Sequence, residues 1–333
     1  MNRFPRPSRR ARRAVLATLC AAAFVPQVAW SQAAYPNRPV RLIVGFPAGS
    51  GPDIVARLLA QKLSEGWNNL GVIVDNKPGA GGLIAANEAA RAQPDGYTLM
   101  LAETGQLSIA PSSYNKLPYD PVRDFAPVSQ VVSADFALLV NPQKVQARNV
   151  KDFVAWSRGQ KDLFMGTFGA GTPGHFGAYM FGEAVGLKPE PVHFKSTSDA
   201  LGAMFSGDTH AVFASVGLAA PNVKGGKLLA LGTTGPVRSP ALPDVPTMKE
   251  QGYNTLEFSS WFGIVAPGKT PPDILARLQA DVQKAVRSAD GRQKMEEAGF
   301  RVTGTTREEF ARIIAADTVT WGKAVQATGF KAD

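Results

Sequence analysis

The sequence predicts an α/β fold of two lobes, each built on a doubly wound sheet, with crossover strands joining them. Three observations carry this reading. Short β-branched runs alternate with helical patterns along most of the chain, the signature of parallel strands linked by helices. Residues 128–140 and 256–265 break that rhythm, because both are long, extended and β-rich with no helix inside. The length of 333 residues suits two domains of roughly 100–200 residues each. Two extended passages through a βα-rhythmic chain place lobe 1 at residues 34–135 plus 259–333 and lobe 2 at 136–258. A ligand cleft is expected between them, where hinge closure can act.

The elements follow in order. Val40–Val44 reads as a strand, and a small-residue loop leads to Pro52, which opens a helix with Ile54, Leu58, Leu59 and Leu63 at helical spacing. Residues 72–74 form the next strand, followed by the turn 77–82 and a helix through Ala90, and residues 98–101 the third strand. The same rhythm resumes at Leu163–Thr167 and at residues 191–194, 211–214 and 228–231. Pro272 opens an amphipathic helix lined by Ile274, Leu278 and Val282. A last helix begins at a capping box, either Thr305 with Glu308 or Thr306 with Glu309, and presents Phe310, Ile313, Ile314 and Trp321.

The formal charge of +9, with 36 basic and 27 acidic residues, invites a nucleic-acid or membrane-surface reading. Its distribution removes that reading. Arg3, Arg6, Arg9, Arg10, Arg12 and Arg13 precede a largely apolar run, residues 14–30, broken by Pro26 and followed by Ser31, Gln32 and Ala33. A basic start, a short apolar region and small residues before a cut make a secretory signal peptide, residues 1–33. The run is too short and too broken for a membrane span, which needs about 20 apolar residues. Leu19 before Cys20 argues against lipidation, and Ala11 and Arg12 after Ser8-Arg9-Arg10 depart from a twin-arginine pattern. The sequence does not choose between the Sec and Tat routes. Cleavage leaves a chain of net +3 without cysteine, so neither disulfides nor thiolate metal sites are expected.

Catalytic motifs are not evident. His175, His193 and His210 have no metal-ligand partner at i+3 or i+4, and there is no GxSxG elbow or serine–lysine acylation motif. Gly169, Gly171 and Gly174 spell GxGxxG between a strand and a helix, with Glu190 near the offset of a ribose-binding acid. Export and Pro173 in the loop argue for an anion nest or a tight turn instead. Three further loops share this design: Phe46-Pro47-Ala48-Gly49-Ser50-Gly51-Pro52-Asp53, Pro78-Gly79-Ala80-Gly81-Gly82 and Glu103-Thr104-Gly105. Small residues at the carboxyl ends of parallel strands favour a small anion.

These motifs resemble the Bug family, the solute receptors of tripartite tricarboxylate transporters. The match runs through Arg41-Leu42-Ile43-Val44 with Phe46-Pro47-Ala48-Gly49, Asn76-Lys77-Pro78-Gly79-Ala80-Gly81-Gly82, Pro94-Asp95-Gly96-Tyr97-Thr98-Leu99 and Leu117-Pro118-Tyr119-Asp120-Pro121-Val122. It continues in Arg238-Ser239-Pro240-Ala241-Leu242-Pro243-Asp244-Val245-Pro246-Thr247 and Trp261-Phe262-Gly263. The resemblance implies a periplasmic, two-lobed Venus-flytrap receptor for an organic carboxylate. It would act as a monomer that hands its ligand to permease subunits, with no cofactor, metal or nucleic acid. The second reading is an exported α/β hydrolase or isomerase acting on a small carboxylate.

Carried over by position, the binding candidates are Phe46, Ala48, Gly49, Ser50, Asp53, Glu103, Thr104, Gly105, Gly169, Gly171, Thr172, His175, Ala214 and Ser215. Asp53 reads either as a ligand contact or as a charge at a helix N-terminus. The sequence departs from the family at Ala214 and His210, where an aspartate is frequent, and at Glu103, where a small residue is common. The missing carboxylate at Ala214 argues against amino-acid ligands.

Overall fold

Val40, Leu42, Ile43 and Val44 expose no surface, as expected of a strand covered on both faces. The computed structural model describes residues 35–194 and 196–332. The expected signal peptide lies outside them. The strands are β1 (Val40–Val44), β2 (Val72–Asn76), β3 (Thr98–Glu103), β4 (Phe125–Val140), β5 (Leu163–Thr167), β6 (Pro189–His193), β7 (Ala211–Ser215), β8 (Leu229–Thr233), β9 (Ser259–Pro267) and β10 (Arg301–Val302). The helices are α1 (Gly51–Gly66), α2 (Leu83–Ala90), α3 (Ala110–Ser113), α4 (Val150–Arg158), α5 (Pro173–Val185), α6 (Thr197–Ser206), α7 (Val216–Lys224), α8 (Pro272–Arg287), α9 (Ala289–Glu297) and α10 (Arg307–Thr328).

The strands run in the order β2-β1-β3-β9-β4-β7-β5-β6, with β10 and β8 also pairing on β4. Strand β4 links the two parts. Residues 125–135 pair antiparallel with β9, and residues 136–140 with β7 and β8. Strands β1, β2 and β3 are mutually parallel in the first part, as β5, β6 and β7 are in the second. The two-lobed α/β reading is thus realised around one continuous 16-residue strand. The second extended stretch starts later than its β-rich sequence suggests. Asn254–Leu256 forms a 3-10 turn, and β9 begins at Ser259. The return passage is tied down at Thr234, whose Oγ1 donates to Phe258 O at 2.6 Å and accepts from Phe136 N at 3.0 Å.

Helix α1 buries Val55, Leu59 and Leu63, whereas Ile54 is 39% exposed. The expected face is therefore rotated by one position. The cause is local: Asp53 is itself buried and held inward, which turns Ile54 out. In α8 the buried row is Leu275, Leu278 and Val282, with Ile274 at its margin. Helix α10 starts with the Thr306–Glu309 capping box, the second of the two expected pairs. Pro189 and Pro191 in β6 are accommodated because β6 is an edge strand.

Two aromatic-rich cores result. One gathers Ile43, Met100, Phe125, Trp261 and Phe310, and the other Leu138, Phe153, Phe176, Phe181, Phe213 and Phe258. Helix α10 serves both, since Phe310 lies in the first and Trp321, Ala324 and Val325 lie in the second. Asp317 sits between them and accepts from Trp261 Nε1 at 2.9 Å. Burial pushes its carboxyl up to about 6, against the lowering effect of the Trp261 and Trp321 indoles.

Candidate functional site

Parallel strands present their carboxyl ends to one edge, where chain reversals leave backbone groups free for a ligand. After β1, the loop to α1 is braced from below by Asp53. Its carboxylate accepts from Gly49 N at 2.8 Å, Arg57 Nε at 2.9 Å and Asn76 Nδ2 at 2.9 Å. Burial raises the Asp53 pKa, but hydrogen bonds from Arg57, Gly49 and Asn76 outweigh it and hold the carboxyl below its usual value. Asn76 Nδ2 also donates to Phe46 O at 2.9 Å, joining the first loop to the end of β2. Asp53 is thus a brace whose oxygens are occupied by the protein.

After β2, Gly82 adopts φ +88, and a Cβ there would run into the Gln106 side chain. This glycine is required by close approach as well as by backbone shape. Gln106 Oε1 accepts from Glu103 N at 2.8 Å, and its main-chain carbonyl accepts from Tyr119 Oη at 2.8 Å. Its buried Nε2 has no hydrogen-bond partner among the described residues. After β3, the chain enters a π turn, Gly105–Ile109, that runs into α3.

After β5, Thr172 caps α5: its Oγ1 accepts from His175 N at 3.4 Å and donates to Gly169 O at 2.8 Å. Gly171 takes φ +73, and a Cβ there would approach Phe330 Cε1 to 3.1 Å. Its N–H donates to His175 Nδ1 at 3.2 Å. Gly174 lets α5 lie against Phe213, because a Cβ would meet the Phe213 carbonyl at 2.9 Å. The GxGxxG spacing therefore serves turn shape and helix–strand packing, and Glu190 is exposed on an edge strand.

These loops converge on one cavity of about 80 Å³, lined by residues that include Phe46, Gly81, Glu103, Gly105, Tyr114, Ala170, Gly171, Thr172 and Ala332. Both parts of the sheet contribute, β1–β3 from one and β5 from the other. Glu103 is the sole ionisable acid or base in the wall apart from the Tyr114 phenol, and no Lys or Arg is among the described residues that line it. Burial pushes the Glu103 carboxyl up to about 8.

Of the fourteen candidates, Phe46, Glu103, Gly105, Gly171 and Thr172 line this cavity. The other nine do not. Ala48, Gly49 and Ser50 form the outer turn of the first loop, where Ser50 Oγ donates to Pro47 O at 2.6 Å. Thr104 is fully buried and accepts from Trp261 N at 2.8 Å. Gly169 closes the turn through Thr172. Ala214 is fully buried in β7 opposite Ala137, and Ser215 stands at the N-cap position of α7 without a side-chain capping bond, outside the cavity wall. Ala214 is therefore not among the residues that line this cavity. Ala170 joins the wall from within the loop at residues 169–172, whereas Tyr114 and Ala332 are wall residues that no local motif announces.

His175 lines a neighbouring cavity of about 390 Å³ with His193, Tyr179 and Phe330. The two imidazole rings stand edge to face, 4.6 Å apart. Burial above all, with His193 nearby, pushes His175 down to about 4. Among the described residues no group of three or more His, Cys, Asp or Glu could hold a metal, and no helix is long and apolar enough to cross a membrane.

The chain is similar to known proteins over most of its length. A family model described as tripartite tricarboxylate transporter family receptor matches residues 55–330. A protein from the gbd 5′ region of Cupriavidus necator is 32% identical over 95% of both chains, and protein BugT of Bordetella pertussis is 29% identical over 89% of this chain and 91% of its own. Among solved structures, R. palustris Rpa4515 with adipate is 29% identical, with a TM-score of 0.80 over 89% of this chain and 99% of that one. MatC from Rhodopseudomonas palustris with bound malate is 28% identical, with a TM-score of 0.76 over 87% and 100%. The periplasmic binding protein BugD is 29% identical, with a TM-score of 0.77 over 89% and 99%. These family members are solute-binding proteins and not enzymes.

Proposed function

We propose, from the premise that this chain belongs to the tripartite tricarboxylate transporter receptor family, that it captures a small organic carboxylate in the cavity shared by the four loops. The observation that carries this reading is that shared wall: loops after β1, β2 and β3 meet the loop after β5 around one space. The adipate and malate held by related structures support carboxylate as the ligand class.

The lobes divide at residues 135/136 and 258/259, with β4 and the Thr234–Phe258 tie as the flexing passages and α10 as a strap across both. At about 80 Å³, the cavity encloses a small molecule, and larger acids enter by hinge opening. The preference for an anion comes from backbone N–H groups and helix N-termini, because none of the described residues in the wall carries a cationic side chain. The protein works in the periplasm after removal of residues 1–33 and, as a monomer, delivers its ligand to the membrane subunits of a tripartite transporter. Native mass spectrometry of protein purified without denaturation tests this. A small organic acid retained on the protein and lost on unfolding supports it. Protein that carries no acid, and takes none up from a broad mixture, counts against it.

A further inference from the structure

Glu103 stands at the end of β3, in the wall of the shared cavity, with one carboxyl oxygen over the α-carbon of Gly105. A Cβ built on that glycine would lie 2.7 Å from Oε1. The main chain of Glu103 is fixed by Gln106, whereas its carboxyl has no hydrogen-bond or ion-pair partner among the described residues. Glu103 is half-buried, and a carboxyl that has lost part of its water ordinarily has a partner, because an unpaired charge away from solvent is costly. Here the open side of the group faces the cavity it lines.

The surroundings say which partner is missing. The described wall residues supply small side chains, Phe46 and Tyr114, but no lysine or arginine. Lys331 lies near, yet its Nζ donates to Ser112 O at 3.3 Å. A ligand with a second carboxylate would bring like charge to Glu103. A ligand with a protonated amine would bring the absent counter-charge and N–H donors together.

Resting on the carboxylate-receptor reading above, we propose that Glu103 makes this receptor select amino-carboxylates, with the ligand's ammonium group on Glu103 and its carboxylate on the loop backbone. The binding of such a ligand turns a neutral or partly charged Glu103 into an ion-paired carboxylate, so a proton leaves the protein near pH 7. Apart from Lys331, whose Nζ is engaged by Ser112 O, the other titratable groups around the cavity are Tyr114 in the wall, Tyr119 behind Gln106 and His175 behind Gly171. None of them is a cation at that pH, so the released proton reports on Glu103.

Isothermal titration of glycine, β-alanine and 4-aminobutyrate against acetate, propionate, butyrate and malate tests the proposal, with wild type and Glu103→Gln run in two buffers of different ionisation enthalpy at pH 7. At least one amino acid should bind tenfold or more tighter than the matching acid without an amine, with release of a proton. Glu103→Gln should lose that preference and the proton release while keeping a cooperative melt. Malate or simple acids bound equally well by both proteins, or bound more tightly with proton uptake, would overturn the proposal and leave the carboxylate reading intact. Binding of neither class by wild type would overturn both.

Discussion

The backbone N–H of Gly171 donates to Nδ1 of His175 at 3.2 Å. The bond assigns that ring nitrogen as an acceptor, so the imidazole must be neutral where the loop keeps this shape. It also removes the Gly171 N–H from the donors offered to a ligand.

Acid should therefore destabilise the empty protein through this ring. Burial holds His175 near 4, below its ordinary 6.5, so the unfolded chain takes up a proton that the folded chain refuses. The contribution is complete above pH 6.5 and is lost as pH falls towards 4, on the order of 3 kcal/mol in total. Chemical denaturation from pH 7.5 to 4 should show a steeper loss for wild type than for His175→Gln. Parallel slopes would contradict the assignment.

Asp53→Ala should cost about 2–4 kcal/mol, because Gly49 N and the Asn76 amide lose a shared buried acceptor. Urea denaturation measures the loss. As the carboxyl is held below its usual value, its stabilising effect persists at neutral pH and fades only as pH falls through that depressed value. A change under about 0.5 kcal/mol would mean that the first loop does not depend on this brace.

At Gly171, fold and ligand effects separate by side chain. Gly171→Ala must adopt φ +73 with its Cβ against Phe330, which costs about 1–2 kcal/mol. Gly171→Asp tolerates that backbone better but adds a carboxylate to the cavity wall. The aspartate variant should melt no lower than the alanine variant and bind carboxylates at least tenfold more weakly. Equal affinity in the two would remove this loop from the site.

Glu103 should make the empty protein less stable as pH rises. Its folded value of about 8 lies above the ordinary 4.5, so the unfolded chain ionises first. The loss accumulates between those two values and is complete above pH 8. Glu103→Gln should therefore raise the melting temperature more at pH 8.5 than at pH 5. The same increment at both would mean the carboxyl is not held neutral.

Most of the frame was legible in residues 40–44, 128–140 and 163–167, because apolar runs bounded by small-residue turns have few other solutions. The rotation of α1 was not, since it depends on a buried Asp53 whose partner Asn76 lies 23 residues away. The site was legible as loops but not as atoms. Thr104 and Ala214 sit at strand ends as expected, yet the fold turns both inward. Ala332 reaches the cavity because the chain after α10 comes back to α3, with Ala332 N donating to Ser113 O at 2.8 Å. No local pattern encodes a contact of that sequence separation.

The central claim, capture of a carboxylate between the four loops, is tested most directly by ligand-induced melting shifts in wild type and Ala170→Phe. Ala170 is an exposed loop residue in the cavity wall, so the phenyl ring fills the space without disturbing either core. A hundredfold excess over Kd of a bound carboxylate should stabilise wild type by about 2.7 kcal/mol, and Ala170→Phe, melting normally when empty, should show no shift. An equal shift in both proteins, or none in wild type across a broad panel of amino-, hydroxy-, di- and aromatic carboxylates, would contradict the account.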